Sequence, residues 1–402
     1  MSKKIVVIGT GYVGLPLAIM LARSGYEVVG VDIQENIVKA INEGVLHLAE
    51  DKMKQIFQEP EVRKNLRAQK TPCEADVFII SVPTPLEETK RVADLTQVIA
   101  GMESILPFLR KGNLVIVEST VPPLTCRHLV APMIAKTGLE VGKDIYLCHC
   151  PERILPGEVF HEIVHNDRII GGLDGKAAEM AREIYGSFVK GKLYLTDDVT
   201  AELAKLMENT YRDVNIALAN EFAAVAEGLG VDILKAIELA NKHPRVKILK
   251  PGIGTGGHCI PVDSWFIKEV DPVNSRVIYM ARMVNDEVPG RIAGKIRRAV
   301  KDIKSPKIVT LGATYKPDTY DTRSSPALKI IDLLRQDGYD VKAYDPVVDG
   351  YQYTSIEEAA KGADCLVLLV EHQVVKEEFA RRENEIKKAM RHPLVLRFYP
   401  EP

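Results

Sequence analysis

The stretch that decides the fold is IVVIGTGYVGLPLAIMLARSGYEVVGVD, at residues 5–32. It opens with a short apolar run of strand type, continues with a Gly-x-Gly-x-x-Gly loop and a helical pattern over residues 15–23, and ends with a second strand over residues 27–31. Glycines allow a tight turn and let a pyrophosphate approach the helix N-terminus, where unpaired N–H groups favour anions. The stretch therefore predicts a βαβ unit that binds a dinucleotide.

The acidic residue that closes the second strand indicates which dinucleotide is bound. Asp32 follows the glycines by roughly 20 residues, and a carboxylate there suits a ribose diol but repels a 2′-phosphate. NAD is therefore favoured over NADP. A glycine turn without a ligand is the alternative, but the ordered strand, loop, helix, strand and acid favour the cofactor. The predicted cofactor contacts in this unit are Gly9, Gly11, Tyr12, Val13, Gly14 and Asp32.

Two further apolar strands, over residues 76–82 and 114–120, continue the alternation of strand and helix. Ligands of open parallel sheets bind outside the carboxyl ends of the strands, which is where Thr84 and Thr120 lie in the sequence. Each hydroxyl group suits a cofactor contact and equally suits a turn or a helix cap. Both residues are candidate cofactor contacts.

Size, composition and charge exclude several classes of protein. At 402 residues and roughly 150 residues per domain, the chain is long enough for two or three domains, and its 46% hydrophobic content can fill their cores. A net charge of -2 with dispersed Lys and Arg argues against nucleic-acid binding. No apolar run approaches the ~20 residues that cross a bilayer, so we expect no membrane partner and a cytoplasmic location.

The six cysteines lack the spacing of a disulfide framework, which favours reduced thiols. Cys148-His149-Cys150 resembles a metal site at first sight. One residue between the thiols and no second pair favour the end of a strand instead, so the sequence predicts no metal.

A different cysteine is the candidate nucleophile. Cys259 lies in KPGIGTGGHCIPVD, residues 250–263, where four glycines in six positions let the backbone approach a ligand and adopt positive φ. Such a loop presents a thiol to a substrate. The alternative is an inert core cysteine, but that would more usually lie among β-branched or leucine neighbours on a regular element.

A long helical pattern over residues 197–228 is predicted to connect the halves of the chain. Lys205, Asn209 and Arg212 lie at i, i+4 and i+7 and so share one face. A lysine and an amide on a rigid helix can hold an oxyanion and orient a hydroxyl group, although a solvated polar stripe explains the spacing as well. The charge-poor run over residues 214–226 indicates packing, for which a second copy of the chain is a candidate, so we expect a homodimer or higher homo-oligomer.

Residues 146–170 read as strand, turn and strand around the loop PERILPG at residues 151–157. Glu152 and Arg153 in this loop are either an exposed ion pair worth little or a water-activating base and an anion clamp. Residues 305–402 repeat the alternating pattern without a Gly-x-Gly-x-x-Gly loop, which suits the binding of a nucleotide-bearing substrate.

These features predict an α/β protein with two Rossmann-like doubly wound domains joined by a long central helix. The predicted boundaries give an NAD-binding domain at residues 1–196, a central helical domain with the cysteine loop at residues 197–304 and a substrate-binding α/β domain at residues 305–402.

The motifs together resemble the UDP-glucose/GDP-mannose dehydrogenase family over almost the whole chain. The matching segments are the first glycine loop, STVP at residues 119–122, PER at 151–153, the helix with Lys205 and Asn209, GGHC at 256–259 with Asp263, and YKP at 315–317 with Arg323. Within the family, YRDVNIA at 211–217, NKHPRV at 241–246 and VDSWFI at 262–267 resemble the UDP-N-acetyl-D-mannosamine dehydrogenases most closely. The UDP-N-acetylglucosamine 6-dehydrogenase branch, which shares the GGHC core, is the nearest rival.

The resemblance implies oxidation of the C6 hydroxyl group of a UDP-sugar to a carboxylate, with two molecules of NAD. Cys259 would attack the C6 aldehyde to form a thiohemiacetal, and the resulting thioester would be hydrolysed. Lys205 and Asn209 would stabilise the oxyanion, and Glu152 would assist the attacking water. Asp263 would orient Lys205 or a water, and Thr120 would hold a water or the cofactor. Either carboxylate could carry the proton.

The resemblance also implies which residues contact the nucleotide sugar. We expect the His243/Arg245 segment to reach a partner subunit's site, and Arg323 to contact the cofactor. Two positions depart from the family: Leu124 replaces a glycine, which could reshape the cofactor loop, and Arg397 is the candidate for a basic substrate contact near the end of the chain. The implied substrate contacts are Arg153, Ile154, Lys205, Asn209, Arg212, His243, Arg245, Gly256, Tyr315 and Lys316.

Two other functions fit the residues. One is a two-electron dehydrogenase of a hydroxy acid or sugar alcohol, with Lys205 as the proton acceptor and Cys259 as a bystander. The other is a non-catalytic sensor of nucleotide sugars. The hypothesis of a four-electron dehydrogenase requires Cys259, Lys205 and the nicotinamide end of the cofactor cleft to lie around one carbon atom of the substrate.

Overall fold

The protein is described by a computed structural model that covers residues 3–46, 51–154, 158–351 and 353–399. The chain divides into two compact units, the first formed by Met1–Glu208 with Trp265–Pro272 and the second by Asn209–Ser264 with Val273–Pro402. Within the described residues, every helix is too short or too polar to span a bilayer.

The first unit alternates strands and helices, as predicted. Its strands are β1 (Lys4–Ile8), β2 (Glu27–Val31), β3 (Leu66–Gln69), β4 (Val77–Ile80), β5 (Leu86–Glu87), β6 (Val92–Ala93), β7 (Leu114–Val117), β8 (Tyr146–His149), β9 (Arg168–Gly172) and β10 (Leu193–Asp197). Its helices are α1 (Gly14–Arg23), α2 (Glu35–Glu43), α3 (Asp51–Phe57), α4 (Pro60–Asn65), α5 (Thr96–Ile105), α6 (Ala131–Ala135), α7 (Val159–His165) and α8 (Gly175–Tyr185).

Eight of these strands form one sheet in the order β10-β9-β8-β7-β4-β1-β2-β3. Every neighbouring pair is parallel except β8 and β9. The central strands are buried along their whole length, as in the VFII run of β4, because helices cover both faces of the sheet. The carboxyl ends of β1, β4 and β7 therefore meet at one edge, where the predicted cofactor residues lie.

The prediction of strand, turn and strand over residues 146–170 was wrong. Helix α7 lies between the two strands, and β9 runs antiparallel to β8. Val159, Ile163 and Val164 bury one side of α7 against the sheet, and their i, i+4, i+5 spacing is the helical signal that the sequence contained.

The long central helix is confirmed as α9 (Asp198–Leu229), which has 32 residues and contains the division between the units. Its predicted apolar face is only partly covered by this chain. Leu206 and Ala217 are buried, whereas Leu218, Phe222 and Val225 keep 41%, 40% and 60% of their surface exposed. Packing of this face against a second copy stays a prediction.

The second unit contains a smaller parallel sheet. Its strands β11 (Lys307–Leu311), β12 (Asp340–Tyr344), β13 (Cys365–Leu368) and β14 (Leu394–Arg397) are ordered β12-β11-β13-β14. The remaining α-helices of the chain are α10 (Ile233–Ala240), α11 (Ile260–Val270), α12 (Arg276–Val300), α13 (Pro326–Gln336), α14 (Ile356–Ala360) and α15 (Gln373–Ala389). Residues from Trp265 onward in α11 belong to the first unit. Buried apolar clusters on both faces of this sheet complete the predicted α/β class.

Candidate active site

The glycine loop between β1 and α1 is shaped to leave room for a ligand. A Cβ atom on Gly14 would lie 2.0 Å from the carbonyl oxygen of Gly9, so the turn excludes any side chain there. Gly9 has φ +88°, a conformation that favours glycine. A Cβ on Gly11 would meet no protein atom within 4 Å, which leaves its outer side open. This cradle fits the close approach of a pyrophosphate.

Asp32 lies at the end of β2, where the sequence predicted the ribose contact. One carboxylate oxygen accepts hydrogen bonds from the backbone N–H of Thr10 at 3.0 Å and from its hydroxyl group at 3.1 Å. The other accepts one from the N–H of Gln34 at 3.0 Å. The acid is thus fixed against the glycine loop, and no residue from 31 to 36 is basic, as a site for NAD rather than NADP requires.

The loops that follow β4 and β7 are joined at the edge of the sheet. The hydroxyl group of Thr84 donates to the carbonyl oxygen of Thr120 at 2.7 Å. Leu124, which stands where the family has a glycine, keeps φ +73° and so preserves a glycine-like backbone. Its N–H group is held by Glu202 at 2.6 Å. The departure at this position therefore leaves the left-handed turn of the loop in place.

Glu152 is bound within a buried carboxylate pair and is not an exposed ion-pair partner of Arg153. The guanidinium group of Arg168 contacts Glu152 at 2.6 Å and Glu118 at 2.8 Å, and all three side chains are at most 9% exposed. The ring of Tyr185 lies 4.4 Å from the Arg168 guanidinium carbon. The side chain of Arg153 instead pairs with Glu208 at 2.8 Å.

Glu118 and Arg168 were missed by the sequence analysis. The available signal was a carboxylate directly after the apolar strand β7 and an arginine at the start of the apolar strand β9. Burial raises the pKa of Glu118 to about 7, although Arg168 opposes the shift. Its second oxygen has no hydrogen-bond partner among the described residues. The pair therefore contains one carboxyl group that is protonated more readily than an ordinary glutamate.

We expect Glu118→Gln to flatten the dependence of stability on pH. The pKa of Glu118 in the folded protein, about 7, exceeds its ordinary value of 4.5, so its contribution to stability is present below about pH 4.5 and is lost as the pH rises through 7. The melting temperature of Glu118→Gln relative to the unmodified protein should therefore increase from pH 5 to pH 8. Glu103→Gln, at an exposed position, is the matched control. A difference that does not change with pH would contradict the assignment.

Cys259 immediately precedes α11 in the second unit. Its carbonyl oxygen accepts the N–H groups of Val262 at 3.0 Å and Asp263 at 2.9 Å, which starts the helix at this residue. Its sulfur lies 2.7 Å from Nδ1 of His258 and is half-buried. A helix N-terminus favours negative charge, so the position suits a nucleophilic thiol better than an inert core cysteine.

Two glycines explain how the cysteine loop packs. A Cβ on Gly256 would lie 2.7 Å from both the carbonyl oxygen of Ser324 and the Cβ of Tyr315. Gly257 has φ +84° and donates its N–H to the carbonyl oxygen of Arg323 at 2.9 Å. Burial raises the pKa of Tyr315, and the charges of Asp321 and Cys259 raise it further. The structure thus brings the predicted residues Gly256, Tyr315 and Arg323 together beside the thiol.

The predicted amide and carboxylate also meet in this unit. The Asn209 side-chain amide donates to Asp263 at 2.6 Å, and Arg212 hydrogen-bonds the amide oxygen of Asn209. Asn209 and Asp263 are 2% and 4% exposed, so this contact fixes the amide at a buried position. Lys205 lies one helical turn before Asn209 on α9 and is half-buried.

A second buried network holds the cysteine loop and was not foreseen. Arg282, which is 1% exposed, pairs with Asp213 and donates to the hydroxyl group of Thr255 at 2.9 Å. Asp213 also accepts from Asn285 at 2.8 Å and Ser264 at 3.0 Å. Burial raises the pKa of Asp213 and Arg282 opposes the shift. The signal was an arginine among the buried positions of α12.

The remaining predicted residues are placed as follows. His243 and Arg245 are exposed on the segment after α10, and Lys316 has its amine 5.7 Å from the Tyr315 ring centre.

Arg323 pairs with Asp321 at 2.7 Å, and Arg397 pairs with Glu371 at the end of the second sheet. Tyr12, Val13 and Ile154 are partly or largely exposed, while Leu155, Pro156 and Gly157 of the PERILPG loop lie outside the described residues.

Comparison with known proteins matches the chain in three parts. The UDP-glucose/GDP-mannose dehydrogenase family contributes an NAD binding domain at residues 3–189, a central domain at residues 199–287 and a UDP binding domain at residues 309–399. A protein of Methanocaldococcus jannaschii named UDP-N-acetyl-D-mannosamine dehydrogenase is 50% identical over 380 residues, which cover 93% of this chain and 87% of the relative.

A solved structure from Pyrococcus horikoshii, described as a UDP-D-ManNAc dehydrogenase, is 43% identical with a TM-score of 0.93 and covers 99% of this chain and 96% of that chain. A Ralstonia nicotianae protein named NDP-N-acetyl-D-galactosaminuronic acid dehydrogenase is 40% identical over 92% of this chain and 91% of the relative. Relatives at 40–50% identity thus carry the names of more than one amino sugar.

Proposed function

This chain belongs to the UDP-glucose/GDP-mannose dehydrogenase family, and we propose that it oxidises the C6 hydroxyl group of UDP-N-acetyl-D-mannosamine to a carboxylate. Membership makes it an NAD-dependent dehydrogenase of UDP-sugars. The identity of the sugar and the roles of the individual residues are the proposal.

The position of Cys259 carries the proposal. A two-electron dehydrogenase needs no thiol. In this chain the Cys259 thiol is half-buried at the N-terminus of α11, beside the imidazole of His258. Gly256 and Gly257 shape the loop around it, and the side-chain amide of Asn209 donates a hydrogen bond to Asp263, which follows the thiol by four residues. This arrangement supports covalent catalysis on an aldehyde.

The first oxidation converts the C6 alcohol to an aldehyde. The glycine cradle and Asp32 would hold the pyrophosphate and ribose of NAD, which would supply the hydride acceptor for both oxidations. We assign Lys205 and Asn209 to the substrate oxygen, since the ammonium and amide groups are one turn apart on α9 and can both donate hydrogen bonds. Their task is to stabilise the negative charge that develops when the hydroxyl proton leaves.

The second oxidation needs a tetrahedral carbon. The Cys259 thiolate adds to the C6 aldehyde, the new oxyanion takes a proton to give a thiohemiacetal, and loss of that proton with a hydride yields a thioester. Water then adds to the thioester and expels the thiolate, which releases the acid. We assign Glu152 to this water, because Arg168 holds one of its oxygens at 2.6 Å and so fixes the orientation of the carboxylate.

Substrate choice and stoichiometry are tested together. Purified protein should reduce NAD with UDP-N-acetyl-D-mannosamine at a kcat/KM at least about tenfold above that for UDP-N-acetylglucosamine, UDP-N-acetylgalactosamine and UDP-glucose, a ratio that corresponds to about 1.4 kcal/mol of transition-state discrimination. The yield should be two NADH for each sugar converted to the acid.

Other outcomes identify the alternatives. A preference for another UDP-hexosamine would change the proposed substrate but not the proposed reaction. One NADH for each sugar would favour the two-electron dehydrogenase, and binding of UDP-sugars without any NAD reduction would favour the non-catalytic sensor.

A further inference from the structure

Three buried side chains of metal-ligand type, none of which has a role in the proposed reaction, meet in the first unit. Cys126 follows the loop after β7, His149 ends β8 and Glu202 lies in the first turns of α9. Each is 0% exposed. The sulfur, a ring nitrogen and a carboxylate oxygen all lie within 4.8 Å of one another. In the sequence His149 lies between Cys148 and Cys150, whereas its two partners in this cluster are distant along the chain.

His149 is the anomalous member of this cluster. Neither of its ring nitrogens makes a hydrogen bond of full geometry within the described residues, although the backbone of Val117 lies close to the ring. The ring is fully buried, so water from the bulk solvent does not reach these nitrogens. Buried polar groups are nearly always paired, and an exception points to a missing water or ion.

The two other members form an acidic pair. Glu202 accepts the N–H groups of Leu124 at 2.6 Å and Cys126 at 2.9 Å. The Cys126 thiol and the Glu202 carboxylate also form a hydrogen bond with each other in the interior. The nearby guanidinium group of Arg127 is already engaged by Asp198 at 2.8 Å. A buried carboxylate and thiol in this setting would be stabilised by a cation.

We propose that Cys126, His149 and Glu202 form a structural binding site for Zn²⁺. One thiolate sulfur, one imidazole nitrogen and one carboxylate oxygen are ligands that zinc accepts. Structural zinc sites usually have four protein ligands, so in this three-ligand site a water would take the fourth position. Binding releases the thiol proton, so the thiolate and the carboxylate balance the two charges of the cation. Zinc bonds of about 2.0–2.3 Å would draw the three ligand atoms together.

A bound zinc would fix the position of the loop after β7, beside the predicted cofactor cleft. It would connect the end of β8, the start of α9 and the turn in which Leu124 holds φ +73°. That turn follows Thr120, so the metal would fix the loop that carries a candidate cofactor contact. The role is structural, because all three ligands are buried.

Metal binding is best measured in a Cys259→Ala background, because the Cys259–His258 pair is a competing thiol and imidazole. Protein freed of metal by a chelator is given Zn²⁺, passed through a desalting column and analysed by elemental mass spectrometry. We expect about one zinc per chain. Co²⁺ in place of zinc should give the near-ultraviolet thiolate charge-transfer band and the visible bands of tetrahedral cobalt.

The cluster variants give the second arm. Cys126→Ser and His149→Gln in the same background should each lose the cobalt thiolate band or weaken zinc binding at least about tenfold, as loss of a ligand does. Cys73→Ser, at a half-buried cysteine outside the cluster, should keep both signals. Substoichiometric zinc in the Cys259→Ala protein, or full retention after Cys126→Ser, would overturn the proposal and leave a buried water as the partner of His149. The Cys259→Ala measurement stands even where a cluster variant fails to fold.

Discussion

Cys259→Ser is expected to lower the rate of acid formation by about 10³-fold or more, while the affinities for NAD and for the UDP-sugar stay within about twofold. Serine keeps the size and the hydrogen bonding of the side chain, but its hydroxyl group is a far weaker nucleophile than a thiolate at neutral pH. Without a covalent adduct the aldehyde has no tetrahedral carbon from which a second hydride can leave. The reaction should therefore stop near one NADH per sugar.

The measurement combines single-turnover NADH yield with analysis of the sugar product. Cys73→Ser, which removes a half-buried thiol of the first unit, should give two NADH and the acid. Full conversion to the acid by Cys259→Ser would refute the thiol mechanism, and retained binding distinguishes this outcome from misfolding.

Arg168→Met should destabilise the first unit by about 3–5 kcal/mol, the scale observed when one partner of a buried ion pair is removed. The Arg168 side chain is 5% exposed and contacts Glu118 at 2.8 Å and Glu152 at 2.6 Å, so its loss leaves two carboxylates in the interior without their shared cation. The carboxylates can relieve the cost by taking up protons. The melting-temperature deficit of Arg168→Met should therefore be smaller at pH 5 than at pH 8.

Two companion variants separate this effect from a general loss of packing. Arg182→Met removes an arginine whose side chain is 55% exposed, and its stability should change by no more than about 0.5 kcal/mol. The double variant Arg168→Met/Glu118→Gln should recover part of the lost stability, because one buried negative charge is removed with the cation. Equal deficits for the single and double variants at pH 8 would show that the carboxylate pair is not the cause.

The variant Arg168→Met also tests whether Glu152 assists the water in hydrolysis. If the guanidinium group orients the base for water, a stable fraction of Arg168→Met should accumulate the thioester and lower kcat more than it raises KM. An unchanged kcat would leave Arg168 as a structural residue only.

Much of the fold followed from local patterns. The run IVVI, the glycine loop and Asp32 specified β1, the turn and the end of β2, because each depends on side-chain periodicity or on backbone freedom at neighbouring positions. The long helix α9 followed for the same reason, since one apolar pattern persists over 32 residues. The helix α7 was missed because seven residues gave too short a pattern beside two strands.

The glycine loop before Cys259 was also predictable from the sequence, because glycines act on the backbone at neighbouring positions, whereas the chemical role of the thiol stays a prediction. Which polar side chains pair in the interior was decided only by the tertiary structure. Arg168 is 50 residues from Glu118, Arg282 is 69 residues from Asp213 and Glu202 is 76 residues from Cys126. A buried charge needs a partner of opposite charge or a hydrogen bond. Which distant residue becomes that partner depends on the order of the strands and on where α9 and α12 pack, and local sequence patterns do not contain this information.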